Sequence, residues 1–131
     1  MTAPSTGIAL SQIGQIAVTA HDIDRAVGFY RDTLGMRFLF QAPPKLAFFD
    51  CNGIRLMLGV PEKPQFDHPG SIIYYKVADI EGTYTTLSAR GVTFDGAPHL
   101  IARLPDHELW MAFFTDTEGN MLALMSEVRG R

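Results

Sequence analysis

The sequence predicts an α+β domain made of two βαβββ modules, because the same order of short segments occurs twice along the chain. The stretch FFDCNGIRLML, which begins at Phe48, has the same plan as FFTDTEGNMLALM, which begins at Phe113. Each contains two aromatic residues, a polar turn with one glycine and an aliphatic segment. The helix start Asp22-Ile23-Asp24 also recurs 57 positions later as Asp79-Ile80-Glu81. We therefore infer a duplication, with one loop insertion in the second half.

The first module is predicted within residues 12–60. It opens with a strand at Ile13 to Thr19, where β-branched residues are frequent. A helix follows, with Asp22 as its N-cap, apolar residues at helical spacing and Gly35 as its end. The turn Cys51-Asn52-Gly53 then indicates a hairpin. The three strands predicted after the helix are Met36 to Gln41, Lys45 to Asp50 and Ile54 to Leu58.

The second module is predicted within residues 71–127, after a linker at 61–70 in which prolines prevent any regular element. It repeats the plan with a strand at Ser71 to Val77 and a helix that Asp79 caps and Gly91 ends. The later apolar segments predicted as strands are Val92 to Phe94, Leu100 to Arg103, Trp110 to Phe114 and Asn120 to Met125.

The composition is that of one domain, residues 12–127, which follows a flexible N-terminal tail at residues 1–11. Hydrophobic residues make up 47% and charged residues 19% of the chain, so a core of ordinary size is possible. The net charge is −3 and the 11 basic residues are scattered, which argues against nucleic acid as a partner.

Cysteine usage and hydropathy predict the cellular setting. Cys51 is the only cysteine, so neither an internal disulfide nor a Cys-rich zinc site can form. No signal-peptide pattern and no apolar segment of about 20 residues is found, so we expect no membrane partner. These features favour a cytoplasmic location.

Several quoted stretches resemble the vicinal oxygen chelate superfamily, which includes glyoxalase I, bleomycin resistance proteins and extradiol dioxygenases. They are IGQIAVTAHDIDRAVGFYRDTLGMRF, FFDCNGIRLMLGVPE, ADIEGTYTTLSARGVTF and FFTDTEGNMLAL, and the resemblance covers about residues 12–127. It implies that the two modules curl their sheets into an open barrel around a central cleft that holds a ligand or a metal ion. It also implies a homodimer.

The resemblance further implies which positions would hold the metal ion of the metal-dependent members. These four positions are occupied by Gln15, Met57, Ile72 and Ala123. Only Gln15 offers a suitable donor, whereas a divalent ion needs several oxygen or imidazole ligands. We therefore expect neither the usual metal ion nor another cofactor.

Two functions stay open at this stage. The first is binding of a small organic molecule in the cleft, by residues that bring apolar surface or a polar group to it. The second is an enzyme of the lyase, isomerase or dioxygenase type with a noncanonical or metal-free site, in which His99 and His107 are the candidate catalytic bases. The residues expected to bind the ligand are Gln15, Phe49, Met57, Ile72, Tyr74, Trp110 and Ala123.

The loop sequence PHLIARLPDHELW holds both histidines and has two interpretations. Asp106, His107 and Glu108 could form a lid that carries a general base, since reactive groups are common on loops. Alternatively, Pro105 to Glu108 is a solvated hairpin turn and His99 pairs with a neighbour. A noncanonical metal site that uses both histidines is a third possibility.

Overall fold

A computed structural model describes residues 8–130, and its two four-stranded sheets and two helices confirm the predicted α+β fold class. The first half contains β1 (Gln15–Thr19), α1 (Ile23–Gly28), β2 (Arg37–Ala42), β3 (Leu46–Cys51) and β4 (Ile54–Gly59). The second half contains β5 (Ile73–Lys76), α2 (Ile80–Ala89), β6 (His99–Arg103), β7 (Glu108–Thr115) and β8 (Met121–Val128). Part of the expected N-terminal tail, residues 1–7, lies outside the described residues.

The two sheets have the same topology, as a duplication requires. The first sheet has the strand order β1-β4-β3-β2 and the second the order β5-β8-β7-β6. In each, the first strand of the module pairs in parallel with the last, and the other neighbours are antiparallel. The two sheets are not closed into a full barrel. Each sheet packs its helix against one face and turns the other face away from it.

Both helices begin where the sequence predicts and α2 ends close to the predicted Gly91, but α1 ends at Gly28 rather than at the predicted Gly35. The side chain of Asp22 accepts a hydrogen bond from Arg25 N, and that of Asp79 accepts one from Gly82 N, so both residues are N-caps. After α1 the chain continues in a π-helical turn, Phe29–Thr33. No helix within residues 8–130 has both the length and the hydropathy to cross a membrane.

The prediction of a strand at Val92 to Phe94 is wrong. Only Phe94 pairs with β7, in an isolated bridge to Phe114, because β6 occupies the same edge of β7 further along. The segment instead packs against α2, where the ring of Phe94 lies 4.7 Å from that of Tyr84. It therefore contributes to the core rather than to the sheet.

Alternation along the strands separates a helix face from an inner face in each sheet. The side chains on the helix faces are buried and form the core together with α1, the π-helical turn after it and α2. The ring of Tyr30, in that turn, packs against the ring of Phe49 on β3. The inner face is the side opposite the helix. On the first sheet it carries Gln15, Ala17, Phe48, Arg55 and Met57, and on the second Tyr74, Met111, Phe113, Met121 and Ala123.

The turn at 116–120, between β7 and β8, joins the second module to the first. Asp116 is buried, and its carboxylate accepts hydrogen bonds from the Tyr30 hydroxyl at 2.7 Å and from the backbone of Glu118 and Asn120 at 2.8 Å. The Asn120 amide donates to the Thr19 carbonyl, also at 2.8 Å. Because Tyr30 and Thr19 belong to the first module, the turn fixes the end of β1 against the start of β8.

Glu118 extends this contact between the two modules to the start of α1. Its side chain is 0% exposed, and its carboxylate accepts from the backbone amides of His21 at 2.7 Å and Asp22 at 2.9 Å and from the Arg25 guanidinium at 2.8 Å. Burial by itself would raise the pKa of Glu118, but these donors together lower it to about 2. The carboxylate is therefore charged in the folded protein at neutral pH.

We expect Tyr30→Phe to lower the free energy of unfolding by about 1–3 kcal/mol, because it leaves the buried Asp116 carboxylate with one donor fewer. Urea unfolding followed by circular dichroism measures this change. Tyr84→Phe is the matched control, since the described residues offer no hydrogen-bond partner to the Tyr84 hydroxyl, and it should alter stability by less than about 0.5 kcal/mol. Equal losses in the two variants would contradict the role given to Tyr30.

Glu118→Gln should flatten the dependence of stability on pH. In the folded chain the pKa lies near 2 rather than at the usual 4.5, so this carboxylate contributes stability above pH 4.5 that is lost as the pH falls towards 2. Thermal unfolding at several pH values between about 6 and 2.5 measures the difference between wild type and variant. Glu62→Gln alters an exposed glutamate of the linker and should leave a curve parallel to that of wild type.

Candidate functional site

A cleft of about 930 Å³ lies where β1 of the first sheet meets the starts of β5 and β8 in the second. This volume is within the range of about 300–1,000 Å³ that is usual for small-molecule sites. Its walls are mainly apolar, from both sheets and from the linker at 61–70. The apolar side chains include Leu46, Met57, Val60, Phe66, Ile72 and Met121, and the polar ones Thr19, Glu62, His68 and Asn120.

The linker forms one wall of this cleft, a role that the sequence did not indicate. It contains a short 3-10 helix, Pro64–Phe66, and the exposed ring of Phe66 lines the cleft. The His21 ring nitrogen Nε2 lies 2.9 Å from Asp67 Oδ1 and ties the linker to the loop before α1. The only signal in the sequence is an aromatic residue within a proline-rich segment.

Among the expected ligand residues, Met57 on β4 and Ile72, which directly precedes β5, line the cleft. Gln15 is next to Met57 on the inner face of the first sheet, with its amide nitrogen 3.7 Å from the Met57 sulfur. On the second sheet, Ala123 pairs in register with Tyr74 and with Phe113, whose rings are 5.9 Å apart in an edge-to-face arrangement. The inner face of the first sheet thus carries an amide and a thioether, and that of the second carries aromatic rings. Gln15, Tyr74 and Ala123 are not among the residues that line the cleft, and Ala123 is 0% exposed.

The prediction that Phe49 and Trp110 line the cleft is wrong. Phe49 is 0% exposed and lies on the helix face, with its ring 6.0 Å from that of Tyr30. Trp110 is half-buried, packs against the core and pairs in register with the buried Ser126. Both side chains point away from the inner faces because strand alternation assigns them to the opposite side.

Phe48 takes the place expected for Phe49. It pairs in register with Met57 and Phe40, and its ring stacks on that of Phe40 at 4.7 Å and an interplanar angle of 29°. The Arg55 guanidinium lies over the same ring, 5.8 Å from its centroid. The inner face of the first sheet is therefore an aromatic surface with a cation at one end.

The four positions expected for a metal ion do not provide a suitable set of ligands. Gln15 and Met57 are in contact, but they supply one amide and one thioether, while Ile72 and Ala123 supply no donor. Within residues 8–130, no group of three or more His, Cys, Asp and Glu side chains is placed to bind an ion. Because hard or borderline divalent ions prefer several oxygen or nitrogen ligands, these residues do not fit the usual ion.

The two candidate catalytic histidines lie apart and outside the cleft lining. His99 is exposed at the start of β6, with Nδ1 3.3 Å from the Ala97 carbonyl. His107 is in the turn after β6, so roughly 13 Å of strand separates the two residues. Its Nδ1 is 2.8 Å from Asp106 Oδ1. Within the part of the chain that is described, the fold does not bring these histidines to one site.

The β6–β7 turn has the geometry of a solvated hairpin. Asp106 is exposed and accepts hydrogen bonds from Arg129 at 2.7 Å and from His107, which together lower its pKa to about 2. A carboxylate of such low pKa is a weak base near neutral pH. Glu108 pairs with Arg103 across the hairpin at 3.2 Å. The turn is therefore an ion-pair network rather than an array suited to proton abstraction.

Comparison with known families gives one clear match over most of the chain. The family described as the Glyoxalase/Bleomycin resistance protein/Dioxygenase superfamily matches residues 12–124. A glyoxylase-like domain-containing protein from Didymella fabae is 34% identical over 124 residues, which covers 86% of this chain and 91% of that protein. The match therefore includes both modules.

Solved structures of similar proteins share the fold. A superfamily member from Sphaerobacter thermophilus has a TM-score of 0.76 and 26% identity, with 90% of this chain and 98% of that chain covered. TnmS3, an antibiotic binding protein from Streptomyces, has a TM-score of 0.72 and 25% identity, with coverages of 92% and 99%. The lactoylglutathione lyase of Agrobacterium tumefaciens has a TM-score of 0.71, 24% identity and coverages of 90% and 95%.

Proposed function

The chain belongs to the Glyoxalase/Bleomycin resistance protein/Dioxygenase superfamily, and we propose that it is a member that binds a small, flat organic molecule in the cleft without the usual metal ion. The observation that carries the proposal is the cleft itself, about 930 Å³ of mainly apolar space, whose lining residue Met57 pairs in register with Phe48 on the aromatic inner face. Apolar walls with a few polar groups are typical of sites that hold organic ligands.

Exposed aromatic side chains on the inner faces, beside the cleft, favour a flat ligand. Phe40 and Tyr74 are 49% and 43% exposed, although each is a large aromatic residue on an inner face. Aromatic rings gain both apolar burial and favourable stacking when a planar molecule covers them. The antibiotic binding protein TnmS3 has the same fold at 25% identity, which agrees with small-molecule binding in such a cleft.

Metal independence rests on the chemistry of the donors. Of the four positions at which the family places ligands, only Gln15 has an oxygen or nitrogen donor in its side chain, and its amide nitrogen contacts the Met57 sulfur. Retention of the ligand would then depend on burial and stacking rather than on chelation. The expected homodimer and cytoplasmic location stay predictions.

The alternative, an enzyme with a noncanonical site, has less support. A general base must lie within hydrogen-bond reach of the bound substrate, and the two predicted bases, His99 and His107, lie outside the residues that line the cleft. His68 and Glu62 do line it, but both belong to the exposed linker. The lactoylglutathione lyase of Agrobacterium tumefaciens shares the fold at 24% identity, which carries no information about the reaction. We therefore place binding before catalysis.

Ile72→Lys should weaken the binding of a neutral aromatic probe by at least about tenfold, because it puts an ammonium group into an apolar wall. Titration with N-phenyl-1-naphthylamine, whose fluorescence rises in apolar surroundings, measures the dissociation constant. Ile101→Lys is the matched control, since Ile101 is 45% exposed and Ile72 41%, but Ile101 lies on β6 at the far edge of the second sheet. Equal weakening by both substitutions would argue against the cleft as the site.

Metal independence predicts that purified protein without a histidine tag binds no stoichiometric divalent ion. Equilibrium dialysis against Mg²⁺, Mn²⁺, Ni²⁺ and Zn²⁺, followed by elemental analysis, should leave each ion well below one per chain. Gln15→Ala should not alter the result, because a single amide contributes little affinity. A stoichiometric ion held by wild type and lost in Gln15→Ala would overturn the proposal.

A further inference from the structure

A row of charged residues crosses the inner face of the first sheet beside the aromatic surface. The strand registers place Gln15 opposite Arg55, Arg55 opposite Asp50, and Asp50 opposite Arg37. Paired residues in a sheet point to the same side, so all four side chains lie on the inner face. Arg55 and Arg37 are both exposed. The row thus carries two cations and one carboxylate.

These two arginines differ from the others in the described chain because neither has an ion-pair or hydrogen-bond partner among residues 8–130. Elsewhere each arginine is bound, as Arg25 is to Glu118 and Arg31 to Asp32, both at 2.8 Å. The remaining bound arginines are Arg90, which donates to Thr33 O, Arg103, which pairs with Glu108, and Arg129, which pairs with Asp106. Among the described arginines, the two without a partner therefore both lie on one inner face.

Asp50 does not neutralise its neighbours. Its carboxylate accepts a hydrogen bond from Gly53 N at 3.2 Å, within the turn that joins β3 to β4. No ion pair links Asp50 to Arg55 or Arg37 within 4.0 Å in the described part of the chain. The row keeps a net positive charge and has guanidinium groups free for a further acceptor.

Arg55 is also well placed relative to the cleft. It is two residues before Met57 on the same face of β4, a separation of about 7 Å, and Met57 lines the cleft. Its guanidinium lies over the Phe48 ring at 5.8 Å, which holds the group next to the aromatic surface. A planar molecule that extends from the cleft across Phe48 would bring its far end to this guanidinium.

We propose that the ligand is a flat aromatic anion, whose rings lie against Met57 and beside Phe48 and whose carboxylate or sulfonate group is bound by Arg55. This inference rests on the proposed binding function and adds the charge of the ligand to it. A guanidinium is suited to the task because its planar donors bind two oxygens of one anionic group at once. Arg37, further along the row, adds positive potential on the same side.

Two fluorescent probes that differ by one anionic group test this inference. They are 1-anilinonaphthalene-8-sulfonate and its neutral counterpart N-phenyl-1-naphthylamine, each titrated into wild type and variants. Arg55→Gln should weaken binding of the sulfonate by at least about tenfold and change binding of the neutral probe by less than about twofold. Unchanged binding of the neutral probe also verifies that the variant is folded.

The chain offers one matched control variant and one variant that should have the opposite effect on binding of the sulfonate. Arg31→Gln removes a guanidinium that also lies over a phenylalanine ring, Phe38 at 5.9 Å, but that is paired with Asp32, so neither probe should be affected. Asp50→Asn removes the one carboxylate of the row and should tighten binding of the sulfonate while leaving the neutral probe unchanged.

The outcomes separate this inference from the proposed function. If Arg55→Gln leaves sulfonate binding unchanged, or weakens both probes equally, Arg55 does not recognise an anion, while binding in the cleft stands. If Arg31→Gln weakens the sulfonate as much as Arg55→Gln does, the effect is one of general surface charge and the inference fails. If neither probe binds wild type, the proposed function fails, and this inference with it.

Discussion

The structure depends on two buried carboxylates in one short turn. Asp116 and Glu118 are removed from water at the boundary between the modules, and burial of a charge is costly unless donors replace the lost hydration. Each carboxylate has several donors, among them Tyr30 and Arg25 from the first module. Because movement of the turn would leave both charges without these partners, the edges of the two sheets are held at a fixed separation, and the cleft lies between them.

The duplicated hairpins have diverged to serve different purposes. In the first module the turn between β3 and β4 is short, with Asn52 at φ 54° and Gly53 at φ 92°, a conformation that aligns the two strands closely. In the second module the longer turn at 116–120 reaches across to α1 and to the end of β1. The short turn sets a strand register, whereas the long turn positions one module against the other. Only the turn of the second module connects the two modules.

Local sequence signals predicted the helix starts and the turns well. Features that depend on strand register or on tertiary position were not predicted from the sequence. Caps and turn glycines were identified because they act within a few residues of the chain. The error at Phe49 arose because FF at 48–49 does not reveal which ring faces inward. The turn at Asn52-Gly53 could have resolved it, since a two-residue turn pairs Phe48 with Met57. No comparable signal places the linker at the cleft, because its position depends on contacts such as that of His21 with Asp67.

The inner faces of the two sheets are related by the duplication but differ in charge. At the offset of 66 positions that relates Gly53 to Gly119, Met57 corresponds to Ala123 and Arg55 to Met121. The first sheet thus presents a cation where the second presents a thioether, on strands of the same topology. Two identical inner faces would accept a planar ligand equally well in two orientations. For the proposed ligand, a charge on one face alone would remove that degeneracy, because only one orientation brings an anionic group to the guanidinium. In the proposed site, Met57 and Ala123 occupy positions at which the family resemblance implies metal donors, while Arg55, two residues before Met57, would orient the ligand through charge instead of chelation.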